Sequence, residues 1–131
     1  MIKIHSKNVA DTEVLLYLPA KDAETFSIGE ALSLGADGLT KCAATTRPMY
    51  LCRGEKRTDG TMPVGAVMES TYYEVPYTAK PTVGTRVTLH TDGLQVTNTT
   101  TNGVFFVESV DEENGVAIGK FDFVMGAGAG A

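Results

Sequence analysis

The chain matches itself at an offset of 55 residues, without a gap, from Ser27–Gly60 against Thr82–Gly115, and this constrains its fold more than any other feature. In that register SIGEALSLGADGL lies over TVGTRVTLHTDGL, bringing Gly29 onto Gly84, Leu32 onto Val87, Leu34 onto Leu89 and Asp37-Gly38 onto Asp92-Gly93. Pro48 then falls on Gly103, the run Met49-Tyr50-Leu51-Cys52 on Val104-Phe105-Phe106-Val107, and Asp59-Gly60 on Asn114-Gly115. Beyond that turn a one-residue slip sets Val64-Gly65-Ala66-Val67 against Ile118-Gly119-Lys120-Phe121, a difference that a surface connection tolerates. Two copies are too few for a solenoid. They are therefore expected to close onto each other around one shared core, with pseudo-two-fold symmetry.

Each copy reads as β structure. Leu32 and Leu34, like Val87 and Leu89, alternate with Ser33 or Thr88, the period-two pattern of a half-buried strand. The Asp-Gly and Asn-Gly dipeptides at 37, 59, 92 and 114 suit hairpin turns, where both central residues take positive φ. MYLC and VFFV are apolar on both faces and read as central, doubly covered strands. The fold class expected is all-β: a compact β-barrel or sandwich built from two copies of a unit of about 55 residues, with an extended N-terminal arm. Residues 1–26 form the arm and a first strand, MIKIH and TEVLLYLPA being strand-like and KDAETF a turn or single helical turn. Residues 27–125 form one β domain, divided into 27–81 and 82–125. The segment ESTYYEVPYTAKPTVG, with Pro76 and Pro81, is an extended crossing between the copies, and residues 126–131, GAGAGA, are a flexible tail.

A net charge of −5 and a pI near 4.9 argue against a nucleic-acid binder, because phosphate-backbone affinity comes from clustered Lys and Arg. No apolar stretch approaches the roughly 20 residues of a membrane span, and the N-terminus lacks the apolar core of a signal peptide. The expected location is a cytoplasm or particles assembled in one. Cys42 and Cys52 fit that compartment as buried reduced thiols, with a disulfide between them the alternative that their count and spacing leave open. They stand ten apart on different strands, and His5 and His90 lack ligand-like company, so no metal or cofactor is expected. Asp37 and Asp92 resemble a paired carboxylate site, but as first residues of turns they are explained by geometry. No nucleophile elbow or phosphate-cradling loop is present, and the chain is not expected to be an enzyme.

The remaining candidates are contact residues. Tyr72, Tyr73 and Tyr77 form the one aromatic cluster, and adjacent tyrosines in a strand face opposite ways, so at least one suits an interface. The loop carrying Arg53, Lys56 and Arg57 is basic, while its counterpart carries Glu108, Asp111 and Glu112. That reversal of sign at matching places would suit head-to-tail pairing of neighbouring copies. In the arm, Ile2, Ile4 and His5 are the candidate anchors.

GEALSLGADGLTKC, followed by a buried strand and MPVGAV, resembles the small β-barrel capsid decoration proteins of tailed phages and prophages, over about residues 27–121 in order of elements. The resemblance implies a non-catalytic cement protein on the outside of a mature capsid, stabilising contacts between major capsid subunits. It further implies clustering of copies at local three-fold positions as a trimer, and capsid contacts made by the terminal arm, here residues 1–26. The doubled unit departs from single-unit members of that family. A rival reading from the residues is a glycan- or host-surface-binding β module displaying the Tyr cluster.

Overall fold

The computed structural model describes residues 1–6, 15–69 and 71–121. Ten strands occupy them: β1 (Lys3–Ser6), β2 (Leu15–Pro19), β3 (Ala31–Gly35), β4 (Gly38–Lys41), β5 (Tyr50–Cys52), β6 (Thr61–Ala66), β7 (Tyr72–Pro76), β8 (Arg86–Val87), β9 (Phe105–Asp111) and β10 (Val116–Phe121). The protein is all-β, with no helix among the described residues. The strands form two five-stranded antiparallel sheets, ordered β2-β6-β5-β3-β4 and β1-β7-β10-β9-β8.

The pairings of the two sheets coincide at an offset of 55. Ala31 pairs with Leu51 as Arg86 does with Phe106, Leu32 with Tyr50 as Val87 with Phe105, and Cys52 with Val64 as Val107 with Gly119. The one-residue slip expected after Gly60 does not occur, because Val64 stands where Gly119 stands. The span from Cys52 to Val64 equals that from Val107 to Gly119, and the units differ only in a bulge on β9, which leaves Glu108 unpaired between Ser109, opposite Ile118, and Val107, opposite Gly119.

The sheets also correct the boundaries of the repeat. Pro19 pairs with Thr61 and Leu16 with Val64, just as Pro76 pairs with Val116 and Tyr73 with Gly119. LLYLP therefore occupies in one sheet the place of YYEVP in the other, at an offset of 57. Each is the first strand of its unit, so Tyr72–Pro76 begins the second unit instead of crossing from the first. Two residues of loop length between these strands and β3 or β8 hide the correspondence from an ungapped comparison.

Each sheet curls until its ends meet: Ala20 bridges Leu39 in parallel, and Tyr77 bridges Val96. Lys21 N–H donates to Leu39 O at 3.0 Å and Thr78 N–H to Val96 O at 2.9 Å. The enclosed interiors make two apolar clusters where one shared core was expected. The smaller holds Ala20, Leu32, Leu39, Cys52, Met62 and Val64, and the larger is built around Tyr73, Val75, Val87, Val107, Ala117 and Phe121. Ala31 and Leu51, next to Leu32 and Cys52, belong to the larger cluster, so alternation along β3 and β5 feeds both. The halves are tied by Ala31 N–H to Gly93 O at 2.8 Å and Leu89 N–H to Ala44 O at 2.9 Å.

Leu34 does not share the burial of Leu32, because β3 runs out past the core into its turn and leaves Leu34 exposed. Of the five Asp-Gly or Asn-Gly pairs, the one at 102 places positive φ on Asn102, at 58°; at the four expected as turns, Gly38, Gly60, Gly93 and Gly115 all take positive φ, whereas the residue before each does not. Glycine alone supplies the left-handed step, so these turns are not the doubly positive type expected. KDAETF is a turn, in which Ala23 has φ 65°.

β1 lies in the second sheet, pairing Lys3 with Glu74, Ile4 with Tyr73 and Ser6 with Tyr72. The N-terminal segment through Ser6 is thus a strand of the body and not a projecting arm. The expected Gly/Ala tail, 126–131, lies outside the described residues.

Candidate interaction surfaces

Of the contact residues expected from sequence, Ile2 and Tyr73 belong to the core. Ile2 is fully buried, and Tyr73 stacks against Phe121 at 5.4 Å between centroids while its hydroxyl accepts from Met68 N–H at 3.2 Å. A residue with no exposed surface cannot anchor a partner without unfolding its own site, so both are removed from the candidate interface. Ile4 and Tyr77 are half-buried and pack on the same cluster. Tyr72 is half-buried with Lys120 Nζ 5.8 Å from its ring centroid, the one tyrosine of the three that keeps a polar, partly open setting. His5 is exposed, and its Nδ1 lies 3.6 Å from the Glu74 carboxylate.

The two loops of opposite sign are satisfied locally. Arg53 is half-buried and its N–H donates to Pro63 O at 2.9 Å. Lys56 faces Asp22 at 3.9 Å, and Arg57 stacks over Tyr17 at 4.9 Å. In the second unit, Glu108 is the bulge residue, Glu112 pairs with Lys80 at 2.8 Å, and Asp111 accepts from Asn114 Nδ2 at 2.7 Å. Exposed pairs of this kind contribute little stability. The shallow depression beside Lys80 and Glu112, about 450 Å³, is also lined by Pro81, Thr82, Val83 and Val110.

The residues of catalytic type are held as structural groups. Asp37 is exposed at its turn, while Asp92 accepts from Leu94 N–H and Gln95 Nε2, both at 2.9 Å. Burial pushes the Asp92 carboxyl up, but those hydrogen bonds together with His90 outweigh it and hold it below the usual carboxylate range. Cys42 and Cys52 are free and buried, and burial pushes both thiols up, away from the thiolate form that reacts. Among the described residues no group of three or more His, Cys, Asp or Glu side chains is placed to hold a metal.

One buried charge stands out. Glu30 is 2% exposed, accepts from Ser27 N–H at 2.9 Å and pairs with Lys41 Nζ at 2.9 Å, while Lys41 also donates to Thr25 O at 3.2 Å. This network pins the loop before β3 onto β4. It is a clasp within the fold, and its partners are complete.

Sequence reading passed over Leu15 and Tyr17. They lie on β2, the outermost strand of the first sheet, and are 61% and 59% exposed. LLYLP was legible as a strand, but nothing in it tells an edge from an interior position. No protein-family model matches the chain, and no curated protein or solved structure matches it.

Proposed function

We propose that this chain is a structural protein of a phage virion, seated on the outer surface of the capsid, where it stabilises contacts between major capsid subunits. The observation that carries the reading is the doubling of one sheet topology within a single body, the halves being joined by buried backbone hydrogen bonds at Ala31 and Leu89. Two like units held at a fixed spacing can engage two neighbouring subunits at once, and the second contact then forms at high effective concentration. The likeness of GEALSLGADGLTKC and MPVGAV to capsid decoration proteins supports the same reading. It needs no chemistry from the chain, no direct contact with nucleic acid and no membrane, and it places assembly in the host cytoplasm. Burial of Tyr73 and packing of Tyr77 favour it over a glycan-binding module, which requires tyrosine faces open to a sugar.

The test is co-sedimentation of the purified chain with mature, undecorated capsids of the phage that encodes it. Binding that saturates at a fixed ratio to capsid subunits, with a rise in the temperature at which the capsid opens, is the expected result. Absence of binding by the folded protein refutes the proposal.

A further inference from the structure

The two units differ at one edge. In the second unit β1 covers Tyr72, Tyr73 and Glu74 of β7. The equivalent residues of the first unit, Leu15, Leu16 and Tyr17 of β2, have no strand on that side among the described residues. The burial patterns record the difference position by position: along β7 half-buried residues alternate with buried ones, while along β2 exposed residues alternate with half-buried ones. Each side chain of β2 is less covered than its counterpart.

The backbone at this edge has a definite polarity. Tyr17 lies opposite Pro63, which lacks an N–H and whose carbonyl accepts from Arg53 on the far side. In an antiparallel ladder bonded and non-bonded pairs alternate, so the bonds to β6 fall at Leu16 and Leu18. Ala20 N–H, donating to Gly60 O at 3.0 Å on that same side, keeps this parity. The N–H and C=O of Leu15 and Tyr17 therefore face outward. Pro19, next in the outward series, has no N–H and limits outward pairing along the strand to Leu15–Tyr17.

We infer that β2 is the contact through which two copies of this chain associate, edge to edge and antiparallel, about a two-fold axis at Leu16. In that register Leu15 faces Tyr17 of the partner subunit, and Tyr17 faces Leu15 of the partner subunit. Both pairs are of the bonded kind, so every outward N–H and C=O of Leu15 and Tyr17 finds a partner and Pro19 stays outside the ladder. The most exposed apolar side chains of the strand cover each other on one face, an aliphatic-aromatic cross-strand pair repeated twice. The two Tyr17 rings lie diagonally, which keeps the two Arg57 guanidinium groups apart. An isologous contact closes at two copies, so it yields a dimer and not the head-to-tail pairing expected from the oppositely charged loops.

The test is sedimentation of the full chain over roughly 1 µM to 1 mM, the range of weak protein association, with hydrogen exchange read at the Leu15 and Tyr17 amides. A mass rising from monomer to dimer is expected, with slowed exchange at both amides in step with it. Leu15→Lys and Tyr17→Lys, each checked for an unchanged circular dichroism spectrum, are expected to abolish the dimer, while Val83→Lys on the other unit leaves it intact. A wild-type chain monomeric throughout overturns the inference, as does a dimer that survives both β2 substitutions. A monomer with protected Leu15 and Tyr17 amides would mean that another part of the same chain covers the edge, and also overturns it.

Discussion

Three glycines separate two physical reasons for having no side chain, and their alanine variants make a quantitative series. A Cβ built on Gly119 would overlap the carbonyl oxygen of Phe106 across the β9–β10 bulge. The obstacle is backbone held in a ladder, so no rotamer change relieves it, and Gly119→Ala must spread the strands at a cost of about 2–3 kcal/mol. Gly60 has open space around it but φ +88°, so Gly60→Ala is strained without being crowded and costs about 1 kcal/mol. Gly35 has neither constraint, and Gly35→Ala is neutral or stabilising by about 0.5 kcal/mol through reduced freedom of the unfolded chain. At roughly 4 °C per kcal/mol for a chain of this size, the Gly119 variant melts about 8–12 °C below wild type. Urea and thermal unfolding followed by circular dichroism and tyrosine fluorescence give the order, the chain having no Trp. A Gly119→Ala protein within about 0.5 kcal/mol of wild type, or one more stable than Gly60→Ala, refutes the close-approach argument.

Glu30→Ala leaves Ser27 N–H and the Lys41 ammonium without their shared acceptor, and a loss of about 2 kcal/mol is expected in urea unfolding; an unchanged midpoint would show that the clasp is idle. Asp92 has a folded-state pKa below its unfolded value, so its stabilisation is present above the unfolded pKa and is lost as pH falls through the folded one. Asp92→Asn is therefore expected to be less stable than wild type at neutral pH, with the gap closing as pH drops below the ordinary carboxylate range. A gap independent of pH contradicts the assignment.

Local chain chemistry by itself determined the all-β character and the positions of the glycine turns. The four glycines at 38, 60, 93 and 115 sit at positive φ because no other residue accepts that step freely. Of the runs expected to be covered on both faces, Leu51 and Cys52 feed the two clusters, whereas Phe105 and Val107 share one, Phe106 is half-buried and Met49 is exposed. The match at an offset of 55 was legible for the same reason, since like turns and like alternation recur at like spacing. Which edge each strand pairs with is decided between residues distant in sequence, and periodicity carries no record of it. Leu15-Leu16-Tyr17 and Tyr72-Tyr73-Glu74 are both plausible strands, yet one is covered by β1 and the other has no strand on that side among the described residues. Ile2 read as the anchor of an arm because its burial depends on Tyr73 and the rest of a cluster drawn from residues between Ala31 and Phe121. The division into two interiors likewise follows from each sheet curling onto itself, through bridges between Ala20 and Leu39 and between Tyr77 and Val96 that no local pattern announces. Tertiary structure alone, by pairing one edge with β1 and leaving its twin without a strand among the described residues, made two like units unlike.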